Sequence, residues 1–363
     1  MRNSLLAIVV IIVIVGVIWY LESQRISPLD INTQADIAFE DSSDKKTPLA
    51  KEIVSPAGFI NSDPITIEQY IGEKVILVDF WTYSCINCQR TLPYLTAWWD
   101  KYKDDGLLMI GVHTPEFEFE KEYDNVFAAT EKFGVDYPVV LDNDYGTWRA
   151  YSNRYWPRKY IIDIDGHIAY DHIGEGAYQE TEEVIQELLE ERMVKLGEKK
   201  KIASDIVDIE AETGLPIFLR RTPEIYFGSD RNSLFGNGMK RVKGTFNLAE
   251  AGEPMLDEFH LIGKWRIEPE FAENLDKGTK ILLHFRAKDV FMVAGSEEPV
   301  NLSLRLNGQP IDEDRGEDVS VGGMVRIQDE GLYKLVQSES FGVHVLEITI
   351  HDEGLQAFTF TFG

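Results

Sequence analysis

Residues 75–93 read VILVDFW, TYS, CINC, QRTL and P, and the fold turns on them. Val75–Trp81 is a short apolar run rich in β-branched and aromatic residues, entered from Gly72-Glu73-Lys74. It fits a buried central strand with one anomaly, Asp79. The strand leads straight into Cys85-Ile86-Asn87-Cys88, the only two cysteines of the chain. A helical stretch follows to about Lys103, with Leu92, Leu95 and Trp99 at i, i+3 and i+7 and Gly106 as its stop. A cysteine at a helix N-terminus meets unpaired N–H groups and the positive end of the dipole, and both favour thiolate over thiol. Cys85 holds that position and is the expected nucleophile of disulfide exchange. Cys88, one turn further in, is the expected resolving thiol. Asp79 is the obvious acceptor for its proton, because an unpaired carboxylate in a central strand has a displaced pKa.

Working outward, Leu107–His113 is a second buried strand. A helix follows with Phe119, Tyr123, Val126, Thr130 and Phe133 on one face. Tyr137–Leu141 and Lys159–Asp163 read as further strands. The turn Asp165-Gly166 leads to His167–His172, and Thr181–Leu196 is an amphipathic helix stopped by Gly197. Strands alternating with helices predict an α/β sheet covered on both faces, over residues 56–198. Trp81, Tyr83 and Trp156 flank the cysteines or Pro157, and are expected either as an apolar collar for clients or as plain core.

Cys-x-x-Cys alone also fits half a zinc site, or a structural disulfide. Zinc needs two more ligands, and His113, His167 and His172 show no paired metal spacing. Asp79 could instead pair with a lysine such as Lys74. The combination Val78-Asp79-Phe80-Trp81, three residues, Cys-x-x-Cys, four residues, Pro93 resembles the thioredoxin signature. Trp156-Pro157 before KYIIDIDG resembles its cis-proline strand and hairpin. The resemblance implies that Pro157 is cis and faces Cys85, and that the pair needs no cofactor beyond its own redox-active disulfide. The segment from about His113 to Phe133 resembles the insert of membrane-tethered TlpA-like reductases. WTYSCINCQRTLPYL, GVHTPEF and the run from Tyr155 resemble the ectodomain of DipZ-type proteins. Two departures stand out. Ile-Asn replaces the Gly-Pro of thioredoxin itself, and Thr91 replaces an acid found in several TlpA-like proteins. Thr82-x-x-Cys85 also matches peroxiredoxins, with Arg149, Arg154 or Arg158 as the distant arginine, but Val78 stands where those have proline.

The chain has 363 residues, 44% hydrophobic and 27% charged, which is globular and long enough for two domains. Its formal charge is −26, from 62 acids against 36 bases, so nucleic acid is not an expected partner. Leu5–Leu21 is uninterruptedly apolar, reaching about 26 Å as a helix against a ~30 Å hydrocarbon core. Arg2 precedes it and Trp19-Tyr20 close it, predicting one transmembrane helix within residues 1–22, with the N-terminus cytoplasmic and the rest extracytoplasmic. No small-residue cleavage pattern follows, so an uncleaved anchor is preferred to a signal peptide. Residues 23–55 read as a flexible tether. DipZ-type proteins carry a multi-span electron-transporting domain. One span here implies a separate membrane electron transporter, if electrons come from the cytoplasm.

Beyond Lys201 the period changes to two. Ile281-x-Leu283-x-Phe285, Leu302-x-Leu304-x-Leu306, Val343-x-Val345, Ile348-x-Ile350 and Phe358-x-Phe360-x-Phe362 alternate, and Asn307-Gly308 is a hairpin turn. Residues 203–363 are thus expected as an all-β, jelly-roll-like sandwich. TPEIYFG from Thr222 and the terminal AFTFTFG resemble the carbohydrate-module-like domain of DipZ-type proteins, which implies the shape and not a sugar ligand. The acids at 312–318 read as a solvated loop. The expected activity is thiol–disulfide exchange on client proteins bearing disulfides or thiols. The alternatives are a thiol peroxidase, or a surface ligand-binding protein whose sandwich does the main work.

Overall fold

The structure, a computed structural model, describes residues 47–209 and 221–363. The apolar run Leu5–Leu21 and the tether up to residue 46 lie outside the described residues. Among the described residues no helix is long and apolar enough to cross a membrane.

The α/β domain holds strands β1 (Gly58–Ile60), β2 (Val75–Trp81), β3 (Leu107–His113), β4 (Val139–Leu141), β5 (Arg158–Ile162) and β6 (Ile168–Ile173) in the order β1-β4-β3-β2-β5-β6. β2, β3 and β4 run parallel, while β1, β5 and β6 pair antiparallel with their neighbours. Its helices are α1 (Ile86–Tyr102), α2 (Tyr123–Phe133), α3 (Gly146–Ala150) and α4 (Tyr178–Leu196). All seven residues of β2 are buried. Its pleat splits them: Val75, Leu77 and Trp81 join the core with Leu95, Trp98 and Leu189, while Ile76, Val78 and Phe80 join the core with Tyr151 and Tyr160. Each such side chain contributes roughly 1.5–3 kcal/mol by burial. Asp79 is held on the first face by register alone. Trp98 is the fully buried tryptophan of α1, rather than Trp99. Tyr123, expected on the inner face of α2, is exposed and stacks on Phe127.

The expected tether, residues 23–55, overlaps the α/β domain at its end. Residues 47–55 lie along the α/β domain: Ile168 N–H donates to Pro48 and Ala50 N–H to Gly166. The boundary at 203 also moves, because Ile202 is buried in the same core and Val207 N–H donates to Glu182.

Every strand ladder of the second domain is antiparallel. Its strands are β7 (Ile225–Tyr226), β8 (Gly244–Leu248), β9 (Glu258–Ile267), β10 (Ala272–Asn274), β11 (Thr279–Gly295), β12 (Val300–Leu306), β13 (Gln309–Pro310), β14 (Met324–Ile327), β15 (Gly331–Ile350) and β16 (Gln356–Phe362). Asn307 and Gly308, both at positive φ, turn β12 into β13. The runs at Val343 and Ile348, expected as separate short strands, are one strand of 20 residues. Shifts in register along the β11–β15 pairing, between Ala287 and Asp289 and between Val290 and Phe291, interrupt alternation there without a turn.

The two domains meet through the insert after β3. Phe117 and Phe119 pack on Phe358 of β16, with ring centroids 5.1 and 4.9 Å apart, beside Val293. Arg90 of α1 places its guanidinium over Phe291. Phe358→Ala should therefore cost about 3–5 kcal/mol in urea unfolding and expose the junction to proteolysis. A loss under 1 kcal/mol would mean that the junction collapses into the gap.

Candidate active site

Cys85 is the N-cap of α1, with extended backbone (φ −81°, ψ 116°) and a half-buried side chain. Its N–H donates to Thr82 and its carbonyl accepts from Gln89, which fixes the first turn. Cys88 is 1% exposed, and both cysteines are free thiols. The Cys88 thiol contacts Cys85 and the backbone of Thr82, and burial pushes it well above its ordinary value.

Asp79 is 1% exposed and neither carboxylate oxygen hydrogen-bonds a protein group. Burial raises it from 3.8 to about 7, against a lowering pull from Lys159. Lys159, fully buried, sits directly opposite Asp79 in the β2–β5 ladder, so the two side chains share a face. Burial lowers the Lys159 ammonium and Asp79 opposes that. The partner of Asp79 is thus Lys159 and not Lys74. Sequence reasoning missed it, though its signal was there: in RKYII, Lys159 alternates in phase with Ile161, which is in the core.

The Trp156–Pro157 bond is cis. Trp156 is half-buried, donates from Nε1 to Thr114 and packs on Trp148. It lines a cavity of about 470 Å³ together with Cys85, Ile86 and Asn87. Trp81 and Tyr83 correct the expected collar. Trp81 has no exposed surface and Tyr83 only 7%, the one edge-on to His113 and the other stacked on it. Trp81 lies two residues beyond Asp79 and must point inward with it.

The other wall of the cavity comes from the β domain, through Thr222, Pro223, Tyr226, Arg231 and Phe362. No sequence pattern signalled this wall. Glu120, buried in the insert, accepts from the Ser84 hydroxyl at 2.6 Å and from Phe117 N–H, tying the insert to the approach to Cys85. His113 is pushed down to about 3 by burial. Among the described residues no three His, Cys, Asp or Glu gather as a metal site. Thr82 is fully buried and its hydroxyl contacts His113 Nε2 at 3.4 Å. Arg158 is paired with Asp171 and Arg149 bonds the Asp144 carbonyl. Of the three arginines only Arg154 lines the Cys85 cavity.

Residues 222–363 match the family described as Thioredoxin like C-terminal domain, and residues 55–171 match the AhpC/TSA family. Protein DipZ of Mycobacterium bovis is 33% identical over 317 residues, which are 86% of this chain and 43% of that protein. Over most of its length the chain is similar to TlpA/DipZ-type proteins of thioredoxin fold. It spans less than half the length of the DipZ relatives it matches. Thiol-disulfide oxidoreductase YkuV of Bacillus subtilis is 28% identical over 39% of this chain and 93% of its own length. A solved thioredoxin-like protein in its oxidized form is 27% identical, covering 40% of this chain and 96% of its own, with a TM-score of 0.37.

Proposed function

We propose that the chain is a thiol–disulfide oxidoreductase that reduces client disulfides with the Cys85/Cys88 dithiol. One observation carries this: a half-buried thiol at a helix N-cap is backed by a buried second thiol in contact with it, on the same side of the sheet as a buried carboxylate that accepts no hydrogen bond. The Cys85 thiolate attacks a client disulfide; a Cys85–client bond forms and the client's other sulfur leaves as thiolate. Cys88 passes its proton to Asp79, and its thiolate attacks Cys85 Sγ. The Cys85–Cys88 disulfide forms and the first client sulfur leaves. The client gains two electrons, which the dithiol loses. An external dithiol must then restore the pair, and a separate membrane electron transporter suits an anchored chain. Trp156 and Pro157 shape the groove where the client docks.

Leu5–Leu21 anchors the chain in the membrane, with the folded domains extracytoplasmic, and the β domain is a jelly-roll-like sandwich. Reduction rather than oxidation is favoured by the TlpA and DipZ likeness. Insulin reduction with dithiothreitol as electron source tests the activity. The full chain should accelerate precipitation, Cys85→Ser should not, and a wild-type rate no better than dithiothreitol alone would defeat the proposal.

A further inference from the structure

We infer that the β-domain wall makes the Cys85 cleft selective for disulfides carrying a carboxylate close to the sulfur. This rests on the oxidoreductase reading above and names its substrate class. The cavity of about 470 Å³ is polar and part-enclosed, within the ~300–1,000 Å³ range of small-ligand pockets. It fits a short peptide segment or a small disulfide, not a folded surface. In a chain of net charge −26 it is locally basic: Arg154, Arg221 and Arg231 face Glu116 and Glu224.

The two glutamates are already engaged. Glu116 pairs with Arg231 at 2.6 Å, and Arg231 lies 3.7 Å over the Tyr226 ring. The Tyr226 hydroxyl reaches Glu116 at 2.9 Å and Glu224 at 2.7 Å. It has one proton to give, so the second contact requires a protonated carboxyl on one of the two.

Among the described residues the other two arginines are less tied, although Arg221 also acts on Glu224. Among the described residues Arg154 makes no side-chain ion pair, and the Arg221 side chain makes one hydrogen bond, to the Phe362 carbonyl at 3.3 Å. Two arginines lining one cleft with the attacking cysteine suit a carboxylate one or two residues from the client cysteine, held by charge-assisted bonds. That carboxylate can belong to an acidic residue of a protein client or to a small free disulfide. Local attraction at the sulfur would then select among clients that the acidic surface as a whole repels.

The test uses the reduced full chain in detergent and three symmetrical disulfides of N-acetylated, C-amidated Ala-Cys-X peptides with X as Asp, Asn or Lys, beside glutathione disulfide and cystamine. The Asp peptide should react about tenfold faster than the Asn peptide, and the Lys peptide slower still. Salt should shrink the ratio. Arg154→Gln with Arg221→Gln should bring the Asp:Asn ratio close to one, and Arg154→Lys with Arg221→Lys should restore much of it. Arginine dependence seen only with glutathione disulfide assigns the site to small disulfides; dependence with the peptides assigns it to protein clients. Equal ratios in wild type and the double glutamine variant overturn the inference while leaving the oxidoreductase reading intact. No reaction with any of the five disulfides would remove both.

Discussion

Cys88→Ser should turn the protein from a catalyst into a trap. Cys85 stays half-exposed at the N-cap and can still open a client disulfide. The mixed disulfide then lacks its internal attacker, because a serine hydroxyl does not displace sulfur. Turnover drops to the rate at which external dithiol finds the buried junction. Client adducts should build up on a non-reducing gel and vanish with dithiol, and they should disappear in the Cys85→Ser, Cys88→Ser double variant. Sulfur-to-oxygen exchange at a 1% exposed position changes little volume, so loss of fold is not the expected cause of lost turnover. Undiminished turnover in Cys88→Ser, or adducts formed by Cys85→Ser, would reverse the assigned roles.

The α/β half was legible because its signals are local. An apolar run ending in Cys-x-x-Cys and a helix start fixes a strand, a turn and a helix, and Asp79 stands out as the one charge in that run. What failed depended on facing. Closeness to the cysteines in sequence leaves Trp81 open to a collar or to the core, and the pleat sends it to the core with Leu77. Lys159 was passed over because its importance comes from cross-strand register, which one strand does not disclose. The cleft's second wall lay beyond reach for a different reason. Glu116 and Arg231 are 115 positions apart, and what joins them is the docking of Phe117 and Phe119 on Phe358. Apolar residues in an insert predict burial but not against what. The long strands β11 and β15 were read as fragments, because register shifts break alternation as a turn would.

Asp79→Asn should slow the resolving step and stabilise the protein, both in a pH-dependent way. As acceptor of the Cys88 proton, Asp79 must be ionised, so the wild-type rate of client release should rise with pH through about 7. Asparagine accepts no proton. Its single-turnover release should be ~10²-fold slower near neutral pH and lack that rise. Lys159→Gln removes the pull that lowers Asp79, so its inflection should move to higher pH. Stability follows from the same shift. The folded state keeps the Asp79 proton up to about 7, whereas the solvated carboxylate of the unfolded chain releases it near 3.8. Between those values the folded state binds more protons, so stability falls as pH rises, by at most ~1.4 kcal/mol per unit, and the loss is complete above about 7. Asparagine removes this loss. It also removes the attraction that keeps Lys159 charged, and a buried lysine that sheds its proton more easily gains stability with rising pH, in the same direction. The thermal midpoint of Asp79→Asn minus wild type should therefore grow from pH 5 to pH 8 by several degrees, at ~2–4 °C per kcal/mol. Parallel midpoint curves, with a variant release rate that still climbs through neutral pH, would mean that another group takes the Cys88 proton.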